Sequence, residues 1–89
     1  MRYLQNPDIV VREEPGEVWL FFDLDTNQKR YSNAVSVRVW ELCDGTRDLA
    51  QIADALCAEI DGASRSDVKE DVRALLEQMA ADHFIVRAD

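Results

Sequence analysis

Apolar positions follow two rhythms along this chain. Up to about residue 31 they come in short β-branched and aromatic blocks; from residue 33 onward they recur every three or four positions. The first rhythm belongs to strands and the second to helices with one buried face. Ile9-Val10-Val11-Arg12-Glu13 is a short strand bounded by Pro7 and by Glu14-Pro15-Gly16. The Pro-Gly pair suits a turn, since proline presets the first central residue and glycine accepts positive φ at the second. Val18 to Leu24 carries the strongest strand signal. One face holds Val18, Leu20, Phe22 and Leu24, the other Trp19, Phe21 and Asp23, so the pattern predicts a central strand covered on both sides. Asp25-Thr26-Asn27-Gln28 is a turn, and Lys29-Arg30-Tyr31 begins a short charged return strand at a sheet edge. Met1 to Pro7 reads as an arm with no fixed structure.

The helical rhythm opens at Asn33 to Gly45. Val35, Val39, Leu42 and Cys43 fall on one stripe, with Trp40 beside them supplying the largest apolar area. Ser32 or Asn33 can cap its start, and Gly45 stands where a left-handed residue would close it. Asp44-Gly45-Thr46-Arg47 then reads as a tight connection. Leu49, Ile52, Ala53, Leu56 and Ile60 mark a second helix capped by Asp48 or Thr46, and Asp61-Gly62-Ala63 ends it. A third helix opens at Ser64 or Ser66 and runs to about Asp82, with Val68, Val72, Leu75, Leu76 and Met79 on its apolar stripe. Phe84-Ile85-Val86 closes back on the core as a short strand. The expected architecture is α+β and winged helix-turn-helix-like: a three-stranded antiparallel meander followed by three helices, in one domain spanning residues 1–89.

Composition narrows the function classes. The chain is 47% hydrophobic and 31% charged, which is globular. It shows no signal peptide and no membrane-length apolar run, so a cytoplasmic protein without a membrane partner is expected. A net charge of -8 repels phosphate backbones. Cys43 and Cys57 fall at apolar helical positions and read as small buried hydrophobes; a disulfide between them is the alternative. With His83 they match no compact zinc pattern. A carboxylate neighbour, Asp44, makes Cys43 a poor nucleophile. Asp23-x-Asp25-x-Asn27 imitates the start of a calcium loop, but Gln28 stands at the glycine position and Ala34 where the bidentate glutamate belongs. A turn stabilised by its own Asp and Asn side chains reads better. No catalytic residues, metal or cofactor are expected.

A winged-helix order raises DNA binding, because the helix after the turn is the one that enters a major groove. Here that helix carries Arg65, Lys69 and Arg73 against Asp67, Glu70, Asp71, Glu77 and Asp82, a net-negative segment unsuited to phosphates. A DNA-binding regulator, or a structural subunit of an enzyme complex, remains the alternative reading.

Trp40-Glu41-Leu42-Cys43-Asp44-Gly45-Thr46-Arg47, followed by Ile52-Ala53-x-x-Leu56, resembles the PqqD-like family, whose members commonly read as Trp or Leu, then Leu-x-Asp-Gly, a Thr or Arg pair and an Ile-x-x-x-Leu helix. Asp71-Val72 with Leu75-Leu76 and Met79 matches the family's Asp-Val helix ending in spaced leucines, and Tyr31-Ser32-Asn33-Ala34 stands where many members have Leu-Asn and a small residue. The resemblance runs from about Pro7 to Val86. The chain departs from it at Ala81-Asp82-His83, where a glycine is usual before the last apolar residues, and at Ser32-Asn33.

The resemblance implies a non-catalytic module that binds the leader region of a ribosomally made precursor peptide and presents the peptide to a modifying enzyme, often a radical SAM enzyme. It implies that the leader adds as a strand beside the third strand, at Lys29, Arg30, Tyr31 and Ser32, in a cleft walled by the third helix. The open edge predicted for that strand agrees with such a mode. The same edge could pair with a second copy, so a homodimer stays open. The third helix's wide apolar stripe suggests that Val68, Val72 and Leu75 face both core and cleft, flanked by Asp71 and by Lys69 or Arg73.

Overall fold

The apolar run around Phe21 becomes the middle strand of an antiparallel meander in the computed structural model, which describes residues 1–88. Its strands are β2 (Ile9–Glu14), β3 (Val18–Asp23) and β4 (Lys29–Ser32). Pairing is continuous from Ile9 opposite Asp23 to Glu14 opposite Val18, and from Phe22 opposite Lys29 to Trp19 opposite Ser32. Gly16 turns the first hairpin at φ +84°. At the second, the Asp23 carboxylate accepts the amides of Asp25 (2.9 Å) and Thr26 (3.3 Å), the turn reading of the calcium-like residues.

Only one face of this sheet meets the core. Phe21 and Asp23 are buried there, with Ile9 beside them. The opposite face, expected to be covered, is largely open: Val10 and Tyr31 are exposed, only Leu20 of that face is buried, and a hollow of about 250 Å³ lies between Val10, Arg12, Leu20, Phe22 and Lys29.

Three helices follow: α1 (Ala34–Leu42), α2 (Leu49–Glu59) and α3 (Arg65–Ala81). Asn33 caps α1 by accepting the Ser36 amide at 3.0 Å. Asp48 caps α2 in a reciprocal box with Gln51. The buried arc of α1 is Ser36, Val37, Val39 and Leu42 with Cys43 following, while Val35 points to solvent. It differs from the expected stripe because α1 packs against α2, α3 and β3 at once, so its contact arc is wider and rotated. Trp40 is mostly buried, and Phe21 is the largest fully buried side chain. Phe21 meets Trp40 edge-on at 5.9 Å and stacks on Phe84 at 5.1 Å. Both cysteines are free.

Two further expectations fail. The N-terminal arm is strand β1 (Arg2–Gln5), the centre of a second sheet between β5 (Asp44–Asp48) and β6 (Ile85–Arg87). The Asp44-Gly45-Thr46-Arg47 connection is β5 itself. Gly45 therefore does not close α1. It holds φ +89° inside the strand, where pairing with β1 shifts register, and an added Cβ would stand 3.4 Å from Leu4. Phe84-Ile85-Val86 does close the core, with β6 paired to β1. At the end of α3, His83 adopts φ +62°, and the Phe84 amide reaches back to the Met79 carbonyl at 2.8 Å. His83 thus takes the left-handed position in which glycine is favoured.

Candidate functional site

β4 is an edge strand, and the hairpin geometry tells which of its backbone groups are open. The Asp23 amide donates to the Gln28 carbonyl at 2.9 Å. Bonded and non-bonded pairs alternate along an antiparallel ladder. The Phe21–Arg30 and Trp19–Ser32 pairs are therefore bonded to each other, and the N–H and C=O groups of Lys29 and Tyr31 point outward. Side chains alternate with the same period, so Arg30 and Ser32 face the core side and Lys29 and Tyr31 the open sheet face.

A narrow groove of about 50 Å³ runs between β4 and the C-terminal half of α3. Its floor is apolar, built from Phe21, Leu75, Met79 and Phe84. Its rim is polar: Arg30, Ser32 and Ser36 on one side, Gln78 and Asp82 on the other. The Arg30 guanidinium donates to Asp82 Oδ1 at 2.9 Å, tying β4 to the end of α3, and Gln78 Nε2 donates to Asp82 Oδ2 at 3.1 Å.

Of the residues expected at a binding cleft, Arg30, Ser32 and Leu75 line this groove. Asp71 is exposed one turn before Leu75 on the Leu75–Gln78–Asp82 face. Lys29 and Tyr31 reach the edge through their backbones, while Lys29 extends over the Phe22 ring on the open face at 5.9 Å. Val68 and Val72 do not face the groove. They are buried in the core, Val72 with no accessible surface, because α3 turns that side toward α2. Lys69 and Arg73 line a separate hollow with Met1, Tyr3 and Leu49, and do not flank the groove. Sequence reasoning missed Phe21, Ser36, Gln78, Met79, Asp82 and Phe84 as lining residues. A partial signal existed: Asp71, Leu75, Gln78 and Asp82 form a continuous helical stripe beside the apolar one.

Ionisation elsewhere is structural. Burial, with Asp44 adding to it, pushes the Cys43 thiol up to about 12, so it is no nucleophile. Hydrogen bonds from Thr46, and then the charge of Arg47, hold Asp44 below its usual value, and Arg38 does the same to Glu59 across α1 and α2. Among the described residues no three His, Cys, Asp or Glu side chains converge on a metal site, and no helix is long and apolar enough to cross a membrane.

Residues 21–85 match the family described as Coenzyme PQQ synthesis protein D (PqqD). The chain belongs to the PqqD family. The match runs from Phe21, within β3, to Ile85, the first residue of β6, and so takes in both walls of the groove. A PqqA binding protein of Rhodopseudomonas palustris (strain TIE-1) is 39% identical over 54 residues, 61% of this chain and 52% of that protein. One from Bradyrhizobium diazoefficiens is 30% identical over 76 residues, covering 85% of this chain and 71% of that protein. The chain thus spans about half the length of the first of these relatives. Two solved structures share the PqqD-like fold seen here. TbiB1 in complex with the TbiA(beta) leader peptide has a TM-score of 0.73 at 24% identity, covering 92% of this chain and 93% of that one. Lasso peptide synthetase B1 complexed with the leader peptide has a TM-score of 0.76 at 16% identity, covering 97% of this chain and 99% of that one.

Proposed function

We propose that this PqqD-family chain is a non-catalytic recognition domain for the leader region of a ribosomally made precursor peptide. The leader adds to the meander as a further antiparallel strand beside β4, and the domain hands the peptide to a modifying enzyme, such as a radical SAM enzyme. The observation that carries this reading is the juxtaposition at β4. Lys29 and Tyr31 offer unpaired backbone groups, and an apolar-floored groove lies beside them. Main-chain bonds to the edge would supply affinity, while alternate side chains entering the groove would set register. Family membership supports the reading, as do relatives described as PqqA binding proteins and fold neighbours solved with leader peptides bound. An extended segment of this kind must offset its own ordering entropy, so micromolar affinity, about -8 kcal/mol, is expected.

The test is a titration of the ¹⁵N-labelled chain with the leader region of the precursor peptide encoded beside its gene, with duplex DNA as the control. Amide shifts should concentrate at Lys29 to Ser32 and on the Asp71–Asp82 face of α3, and DNA should give none. Asp71→Lys should leave the melting temperature nearly unchanged, since an exposed carboxylate contributes little to folding, and weaken peptide binding several-fold. Shifts confined to α1 and α2, with β4 silent, would overturn strand addition.

A further inference from the structure

The Arg30–Asp82 ion pair is unequal, and its inequality carries a consequence for what the groove selects. The Arg30 side chain is 51% exposed; that of Asp82 is 15% exposed and braced by Gln78. Asp82 also stands at the C-terminal cap of α3, where the negative end of the helix disfavours an anion. Arg30 is the only cation the structure pairs with it among the described residues. The bridge spans the groove from β4 to α3, so a strand laid between them must push Arg30 aside. Asp82 would then lose its charged partner while still standing at the negative end of the helix.

We infer that Asp82 is a subsite for a cationic side chain of the bound peptide. A lysine or arginine replaces Arg30 at the Asp82 carboxylate, while a neighbouring apolar residue covers the Leu75–Met79 floor. Arg30 is a latch that holds the empty groove shut and competes with the peptide. The chain's net charge of -8 adds long-range attraction for such a segment. This inference rests on peptide binding along β4, as proposed above.

The probe is a displayed library of random fifteen-residue peptides selected on the full 89-residue chain. Selected peptides should share an apolar residue with a lysine or arginine at a fixed offset from it. Selection on Asp82→Asn, which keeps the shape and the Gln78 contact, should retain the apolar residue and lose the basic one. For one selected peptide, Asp82→Asn or replacement of its basic residue by norleucine should each weaken binding about tenfold, the effect of one charge-assisted hydrogen bond, and the two together no further. Arg30→Gln should tighten binding by removing the competitor. Melting curves of each variant separate these effects from misfolding. Peptides selected for apolar residues without a basic one would overturn the subsite and leave strand addition standing. Weaker binding by Arg30→Gln would make Arg30 a contact and overturn the latch. Failure to select any peptide would overturn both this inference and the proposed function.

Discussion

Trp40→Ala tests how the aromatic cluster holds the meander to the helices. Trp40 keeps a minor part of its surface exposed, so burying it contributes somewhat less than burying a fully enclosed aromatic, about 1–2 kcal/mol. Its edge contact with Phe21 adds about 0.5–1.5 kcal/mol. Its indole N–H donates to the Phe84 carbonyl at 3.1 Å, a bond of about 1 kcal/mol. That carbonyl also accepts the Asn6 amide at 3.0 Å, so it is not orphaned when the indole goes. The total is about 3 kcal/mol, at the low end of what large aromatic truncations cost. It is nevertheless a large share of the stability of so small a domain. Trp40→Phe retains the ring edge and loses only the N–H and some area, and should cost about 1 kcal/mol. Urea unfolding followed by far-UV circular dichroism measures both, without relying on indole fluorescence. A cost below about 1 kcal/mol for the alanine variant, or equal costs for alanine and phenylalanine, would refute the additive account.

The edge geometry distinguishes two prolines. Tyr31→Pro removes an outward amide and should weaken peptide binding while the domain stays folded, whereas Arg30→Pro removes an inward one and should destabilise the sheet itself; a larger loss of melting temperature for Tyr31→Pro than for Arg30→Pro would mean the ladder phase is reversed. In native protein near neutral pH, a thiol reagent should label Cys57 and spare Cys43 until unfolding, as mass spectrometry would read directly. Because the folded Cys43 thiol titrates at about 12 against an ordinary 9.0, its contribution to stability is complete below pH 9 and declines as pH rises toward 12; Cys43→Ala should flatten that decline in denaturation midpoints measured across the range.

What the residues determine alone is local. Asn33 and Asp48 are short polar side chains one residue ahead of helical periodicity, and both cap as their chemistry requires. Pro15-Gly16 and Asp23 to Asn27 bend the meander by bonds within a few residues of themselves. The alternation in Val18 to Leu24 marks a strand with two apolar faces, but it cannot say whether anything covers the second; that depends on where the helices go, and they all pack on the Phe21 side. β1 and β5 carry little strand signal because their pairing is long-range: Tyr3 meets Arg87, and Leu4 meets Asp44 across a register shift that only Gly45 accommodates. Helical periodicity placed Val68 and Val72 on the apolar stripe of α3 but not against a cleft or a core, since both look the same in sequence. The groove is a tertiary object. Arg30 and Asp82 stand 52 residues apart, and they become partners only because α3 and β4 are brought to opposite sides of Phe21.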